Sequence, residues 1–137
     1  MNHVQIRLAY FAHQPLESSQ SCTPVVPMSL IHIVMFQFKA DASPESVEEA
    51  CARMLSLKDD CIHPESQKPY IKSLTGGKDN SPEGKQNGIQ YAFVVEFEST
   101  ADRDYYVATD PTHQAFVKSV GAVVQKAIVV DYTVGHF

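Results

Sequence analysis

Leu30-Ile31-His32-Ile33-Val34-Met35-Phe36-Gln37-Phe38 alternates with the period of a β-strand, yet both of its faces are apolar. Leu30, His32, Val34, Phe36 and Phe38 share one face, and Ile31, Ile33 and Met35 share the other. A strand with one wet face would alternate apolar with polar, so this one must be covered on both sides. Helices are expected over the Ile31, Ile33 and Met35 face. His32 should then be either hydrogen-bonded inside a core or turned toward a cavity.

The elements that follow read in order. Ser43-Pro44 opens a helix as cap and first residue, with Val47, Ala50, Cys51, Met54 and Leu55 as its buried stripe and Glu45, Glu48, Glu49, Arg53 and Lys58 on a solvated face. Tyr70 to Thr75 reads as a second strand, and Gly76 to Lys85 as a loop that lacks the spacing of a phosphate-binding loop. Ile89 to Glu98 is a third strand, with Ile89, Tyr91, Phe93, Val95 and Phe97 in one apolar row. A short helix starts at a Thr100 cap, a further helix from Pro111 buries Phe116, Val117, Val120 and Val124, and Lys126 to Val134 closes the chain as a strand. Asp131, in the middle of that strand, needs a partner.

Between the last two helices lies Asp110-Pro111-Thr112-His113. Asp110 suits the N-cap and Pro111 the first helical position, which places His113 in the first turn. The positive field of a helix N-terminus disfavours imidazolium, so His113 leans toward a neutral base near pH 7. Equally, it can be one of several satisfied, partly buried histidines beside an ordinary cap.

The chain has 137 residues and a formal net charge of −5, enough for one domain with a real core and no basic footprint for nucleic acid or an anionic membrane surface. Cys22, Cys51 and Cys61 form no Cys-x-x-Cys pair, and Cys61 with His63 lacks two further ligands in register. Reduced thiols and a cytoplasmic location are expected. Residues 1–27 are rich in Ser, Gln and Pro toward Pro27 and read as a flexible or loosely docked extension, with the domain over residues 28–137. Val4 to Phe11 is too short and too interrupted for a signal-peptide core, and no stretch reaches the length of a membrane span.

Strand, helix, strand, strand, helix, strand is the order of the α+β, ferredoxin-like split unit, in which an antiparallel sheet carries helices on one face. The other face needs a cover. A second copy is the simplest one, giving a homodimer whose two sheets enclose a barrel.

Five stretches carry a resemblance: His32 in Leu-Ile-His-Ile-Val-Met-Phe, the Gly77-x-Asp79-x-Ser81 segment, Phe97-Glu98-Ser99, Asp110-Pro111-x-His113-x-x-Phe116, and Val130-Asp131-Tyr132. Together they make residues 28–137 similar to the stress-responsive dimeric α/β-barrel family, which includes plant polyketide cyclases of the olivetolic acid type. The resemblance implies a small, mostly apolar pocket. It implies His113 as the catalytic histidine of an aldol-type closure, His32 as a pocket histidine of the first strand, and a nearby tyrosine as helper. The position matching that tyrosine is Val107, and Tyr106, one residue earlier, is expected to point elsewhere on its helix. Asp110 stands where family members often carry a histidine.

Combining both readings, His113 would remove a proton α to a carbonyl, while His32, Tyr106 or Tyr91 donates to the developing oxyanion. Val34, Phe36, Tyr91, Val107, Phe116 and Asp131 would line the site for an apolar carbonyl, phenolic or polyketide-like ligand. Neither a cofactor nor a metal is called for. The alternative is a non-catalytic, stress-associated dimeric binding module; a monooxygenase-like barrel shares the architecture.

Overall fold

A computed structural model describes residues 28–137; the extension read over residues 1–27 lies outside the described residues. In chain order the elements are β1 Leu30–Phe38, α1 Pro44–Asp60, β2 Ile71–Lys78, β3 Tyr91–Phe97, α2 Thr100–Ala108, α3 Pro111–Val120 and β4 Val124–Thr133. The strands form one antiparallel sheet in the order β2-β3-β1-β4, the ferredoxin-like arrangement, with β1 and β3 at its centre. Ser43 caps α1 by accepting from the Ser46 N–H at 3.1 Å, and Pro44 occupies the first turn. The cap of α2 is Ser99 rather than Thr100: its hydroxyl accepts from the Asp102 N–H at 3.1 Å.

The helices lie over the opposite face of β1 from the one expected. Leu30, His32, Val34, Phe36 and Phe38 are all buried, together with Phe93, Val95 and Phe97 of β3, Ala50, Met54 and Leu57 of α1, Tyr106 of α2, and Phe116 and Val120 of α3. Ile31, Ile33 and Met35 are only half-buried, on the face that carries no helix. Periodicity separates the two faces but does not say which one the helices choose. The larger rings decide it: Phe36 and Phe38 pack with Phe93 and Tyr91 at 5.5–5.8 Å between centroids, a layer thick enough to seat helices.

Three boundaries and two stripes also differ from the expectation. Along α1 the buried positions are Ala50, Met54 and Leu57, continued by Cys61, so the stripe turns away from Leu55, which is 41 % exposed. In α3, Val117 is 47 % exposed, and Val124 belongs to β4, since the helix ends at Val120 and Gly121 follows as its cap. β3 is shorter than the third strand read from sequence, and β4 is shifted toward the N-terminus.

The third boundary is the most informative. Gly76, Gly77 and Lys78 belong to β2, not to a loop. Gly76 pairs with Phe93 of β3, whose ring lies over the glycine; a Cβ there would overlap that ring and come within 2.9 Å of the Ala92 carbonyl oxygen. Phe93 is 1 % exposed and has nowhere to go. Gly76→Ala should therefore destabilise the fold by about 1–3 kcal/mol, the usual cost of overpacking, and Gly77→Ala, whose Cβ would meet open space, by much less. Thermal melts of the two variants make the comparison.

Candidate functional site

Asp110 is the anchor. It is 1 % exposed, and its Oδ1 accepts from the backbone N–H of Thr112 at 2.8 Å and of His113 at 3.3 Å, starting α3. Its Oδ2 accepts from the Tyr70 hydroxyl at 2.5 Å, a contact between residues forty positions apart. A buried carboxylate is costly unless hydrogen-bonded, and these three donors satisfy it. Burial, reinforced by the Asp110 bond, pushes the Tyr70 phenol well above its ordinary range. Burial, with the Asp110 charge beside it, does the same to the Cys61 thiol, so Cys61 is an inert core group.

The cap fixes the place of His113. Its ring stacks on that of Tyr106, with centroids 3.9 Å apart and planes 30° off parallel. Nδ1 of His113 is buried with no hydrogen-bond partner among the described residues. Burial lowers the pKa of this imidazole, aided by His32; the Tyr106 backbone carbonyl and the Asp110 carboxylate pull the other way without overturning the shift. The neutral ring follows, with a lone pair or an N–H unspent.

Tyr106 turns inward, contrary to the expectation for its helix position. It is 1 % exposed and packs edge-on to His32 at 5.7 Å and tilted against Phe97 at 5.2 Å. α2 is short and ends at Ala108, and this rotation buries Tyr106 while Val107 is left 43 % exposed. Burial is the main cause that raises the Tyr106 phenol far above its ordinary value, so it stays a neutral donor.

His32 completes the cluster. β1 and β4 pair so that His32 faces Asp131, and Nδ1 of His32 lies 2.7 Å from Oδ1 of Asp131. Asp131 Oδ2 in turn accepts from Arg103 Nη1 at 2.6 Å, and Arg103 Nε donates to Asp104 at 2.7 Å. In the neutral ring the Nδ1–H is thus spent on Asp131 and Nε2 remains as the acceptor.

The structure brings His32, His113, Tyr106 and Asp131 together. Val34, Phe36 and Phe116 are in the same core layer, but Phe36 packs on Phe38 and Phe93 toward its other end. Tyr91 and Val107 are not in the cluster: Tyr91 packs on Phe38, and Val107 lies on the outer side of α2. Two members were missed from the sequence. Arg103 shares a helix face with Tyr106, three residues on, and the mid-strand Asp131 was a hint that such a cation existed. Tyr70 left no local signal, because its role depends on a loop brought against α3.

Comparison with known proteins agrees with this architecture. The profile of the stress responsive A/B barrel domain matches residues 30–134. The stress-response A/B barrel domain-containing protein HS1 of Arabidopsis thaliana is 31 % identical over 101 residues, covering 74 % of this chain and 85 % of that protein. The crystal structure of At3g17210 from Arabidopsis thaliana superposes with a TM-score of 0.67 at 29 % identity, covering 79 % of this chain and 97 % of that one. A dimeric ferredoxin-like protein of unknown function from Jannaschia sp. CCS1 gives 0.60 at 27 % identity, covering 76 % and 97 %. The fold is also that of the hydroxynitrile lyase from Passiflora edulis, at 0.67 and 23 % identity over 81 % and 97 % of the two chains. With the profile spanning nearly all of the described residues, the chain belongs to the stress-responsive A/B barrel domain family.

Proposed function

We propose that residues 28–137 form an acid–base catalyst of lyase or cyclase type, acting without a cofactor on a small apolar carbonyl or phenolic compound. The observation that carries this reading is the buried, unpartnered Nδ1 of His113 beside the Tyr106 ring, with the Asp131-held His32 edge-on to the same ring. A polar atom kept in a core without a partner costs roughly 1–3 kcal/mol, an expense that a waiting substrate proton would justify. His113 takes a proton α to the carbonyl, the C–H electron pair becomes the enolate, and the oxygen accepts a hydrogen bond from the Tyr106 hydroxyl. Acid–base assistance of this kind supplies roughly 10²–10⁴ in rate. Tyr106 must first swing off His113 to admit the substrate.

The same chain is read as a homodimer in a reducing, cytoplasmic setting, its open sheet face closed by a second copy. Apolar residues on that face and the dimeric description of the Jannaschia protein support the pairing.

One observation favours a second reading. Tyr106, 1 % exposed, fills the space between the two histidines, as it would in a non-catalytic stress-associated module with a closed core.

An NMR pH titration of the imidazoles, with and without β-dicarbonyl and phenolic ligands, separates the two. His113 should titrate below its ordinary value, because burial disfavours its cation. Since the unfolded chain then binds the extra proton more readily than the folded one, stability present at neutral pH is lost as pH falls below about 6.5. For a catalyst, ligand should shift both His113 and His32, and His113→Ala should abolish the response. Ligand-indifferent resonances would leave the closed-core module.

A further inference from the structure

We infer that Arg103 is a positioning residue that, through Asp131, orients the His32 ring with its Nδ1–H on the carboxylate and Nε2 left uncommitted. This deepens the acid–base reading of the same cluster and rests on it for its purpose, though its geometry stands alone. An Asp–His pair by itself stabilises imidazolium, because the carboxylate charge sits against the ring. Here the carboxylate is shared. Oδ1 of Asp131 meets His32 Nδ1 at 2.7 Å, while Oδ2 meets Arg103 Nη1 at 2.6 Å.

Both side chains of the Arg103–Asp131 pair are 23 % exposed, so solvent screens the pair only in part. The guanidinium thereby holds Asp131 in the orientation that meets His32. The carboxylate in turn fixes the tautomer and the ring orientation of His32.

The other groups facing His32 do not replace this effect. Phe97 of β3 is apolar and 6.2 Å away, and Tyr106 of α2 is a neutral phenol. His113 of α3 stacks on Tyr106, and burial lowers its pKa. Asp104 reaches the cluster only through Arg103, and its own side chain is 67 % exposed. Arg103 is thus the cation among the described residues that contacts Asp131. Its second bond, from Nε to Asp104 at 2.7 Å, locks the guanidinium plane in the orientation that serves Asp131.

The arrangement gives the two histidines different duties. His113 is neutral because it is buried, with Nδ1 uncommitted. His32 has Nδ1 committed to Asp131 and Nε2 available.

The test is ¹⁵N NMR of the full, unliganded chain, following His32 in wild type, Arg103→Gln, Arg103→Lys and Asp131→Asn. Wild type should show His32 as the Nδ1–H tautomer at pH 8. Arg103→Gln should let the Nε2–H tautomer appear in the His32 signal, because Asp131 loses the guanidinium that orients it. Arg103→Lys should restore most of the Nδ1–H tautomer, and Asp131→Asn should release it. A His32 that is Nε2–H in wild type overturns the inference even if a variant fails to fold. So does an Arg103→Gln protein with a native spectrum and an unmoved His32. Because no ligand enters this experiment, a failure of the catalytic reading appears separately, as absent ligand response with the His32 effects intact.

Discussion

Asp110→Ala should lower stability by about 3 kcal/mol, and the melting temperature by about 15 °C. The sum has two parts. Losing an N-cap costs about 0.5–2 kcal/mol, and here the cap serves the N–H groups of Thr112 and His113. Leaving a buried partner unsatisfied costs a further 1–3 kcal/mol, and the Tyr70 hydroxyl would be that partner. Removing a buried charge returns some desolvation energy, but three donors already compensate Asp110, so the return is small.

Asp110→Asn separates these terms. Its amide oxygen can still cap α3, while its NH₂ meets the Tyr70 hydroxyl, which must turn from donor to acceptor. About half of the loss should be recovered. Tyr70→Phe should cost about 1 kcal/mol and leave the cap in place. Calorimetry on the three variants reads the order Ala, Asn, Phe directly. An Asp110→Ala protein that melts within 2 °C of wild type would mean that water or a rearranged loop replaces the carboxylate.

Val130→Asp should convert the proposed dimer to monomer, raising its dissociation constant roughly 100-fold or more. Val130 pairs with Ile33 across β1 and β4, and Ile33 pairs with Val94 across β1 and β3. These three lie at the middle of the helix-free face, flanked by Ile31, Met35, Ile128 and Tyr132. Within the single chain Val130 is 49 % exposed, Tyr132 48 % and Val94 39 %, so an aspartate at 130 faces solvent and disturbs the fold little. Against a second sheet it would be an unpaired charge in an apolar interface, worth several kcal/mol. Sedimentation over a concentration series distinguishes the cases. A wild-type chain that stays monomeric at tens of micromolar, or a variant that stays dimeric, would place the contact elsewhere.

The helix-free face also explains why the strand content looked doubly apolar. An exposed sheet face of this kind is a large apolar patch, and soluble monomers rarely tolerate one. The apolar rows of β1 misplaced the helices, which cover the face that carries His32. The cover of the other face is proposed to be a second sheet.

Much of the molecule was legible from the chain. Ser43-Pro44 and Asp110-Pro111 fixed two helix starts, because capping and the fixed φ of proline act within four residues. The doubly apolar β1 and the order of elements led to the ferredoxin-like sheet. His32 and His113 were singled out, and Asp131 was recognised as needing a partner. These are local signals, carried by period, turn chemistry and charge.

Tertiary structure alone decided the rest. Which face of β1 meets the helices depends on how α1, α2 and α3 seat on the sheet, a matter of ring volumes and not of period. The His32–Asp131 bond joins residues 99 positions apart, and no local rule sets the β1–β4 register that makes it. The inward turn of Tyr106 follows from the small rotation of a short helix, and Gly76 belongs to a strand because Phe93 lies above it. The sequence by itself determined which groups the fold would have to place; long-range pairing determined which of them meet, since a contact energy depends on distances that no local pattern encodes.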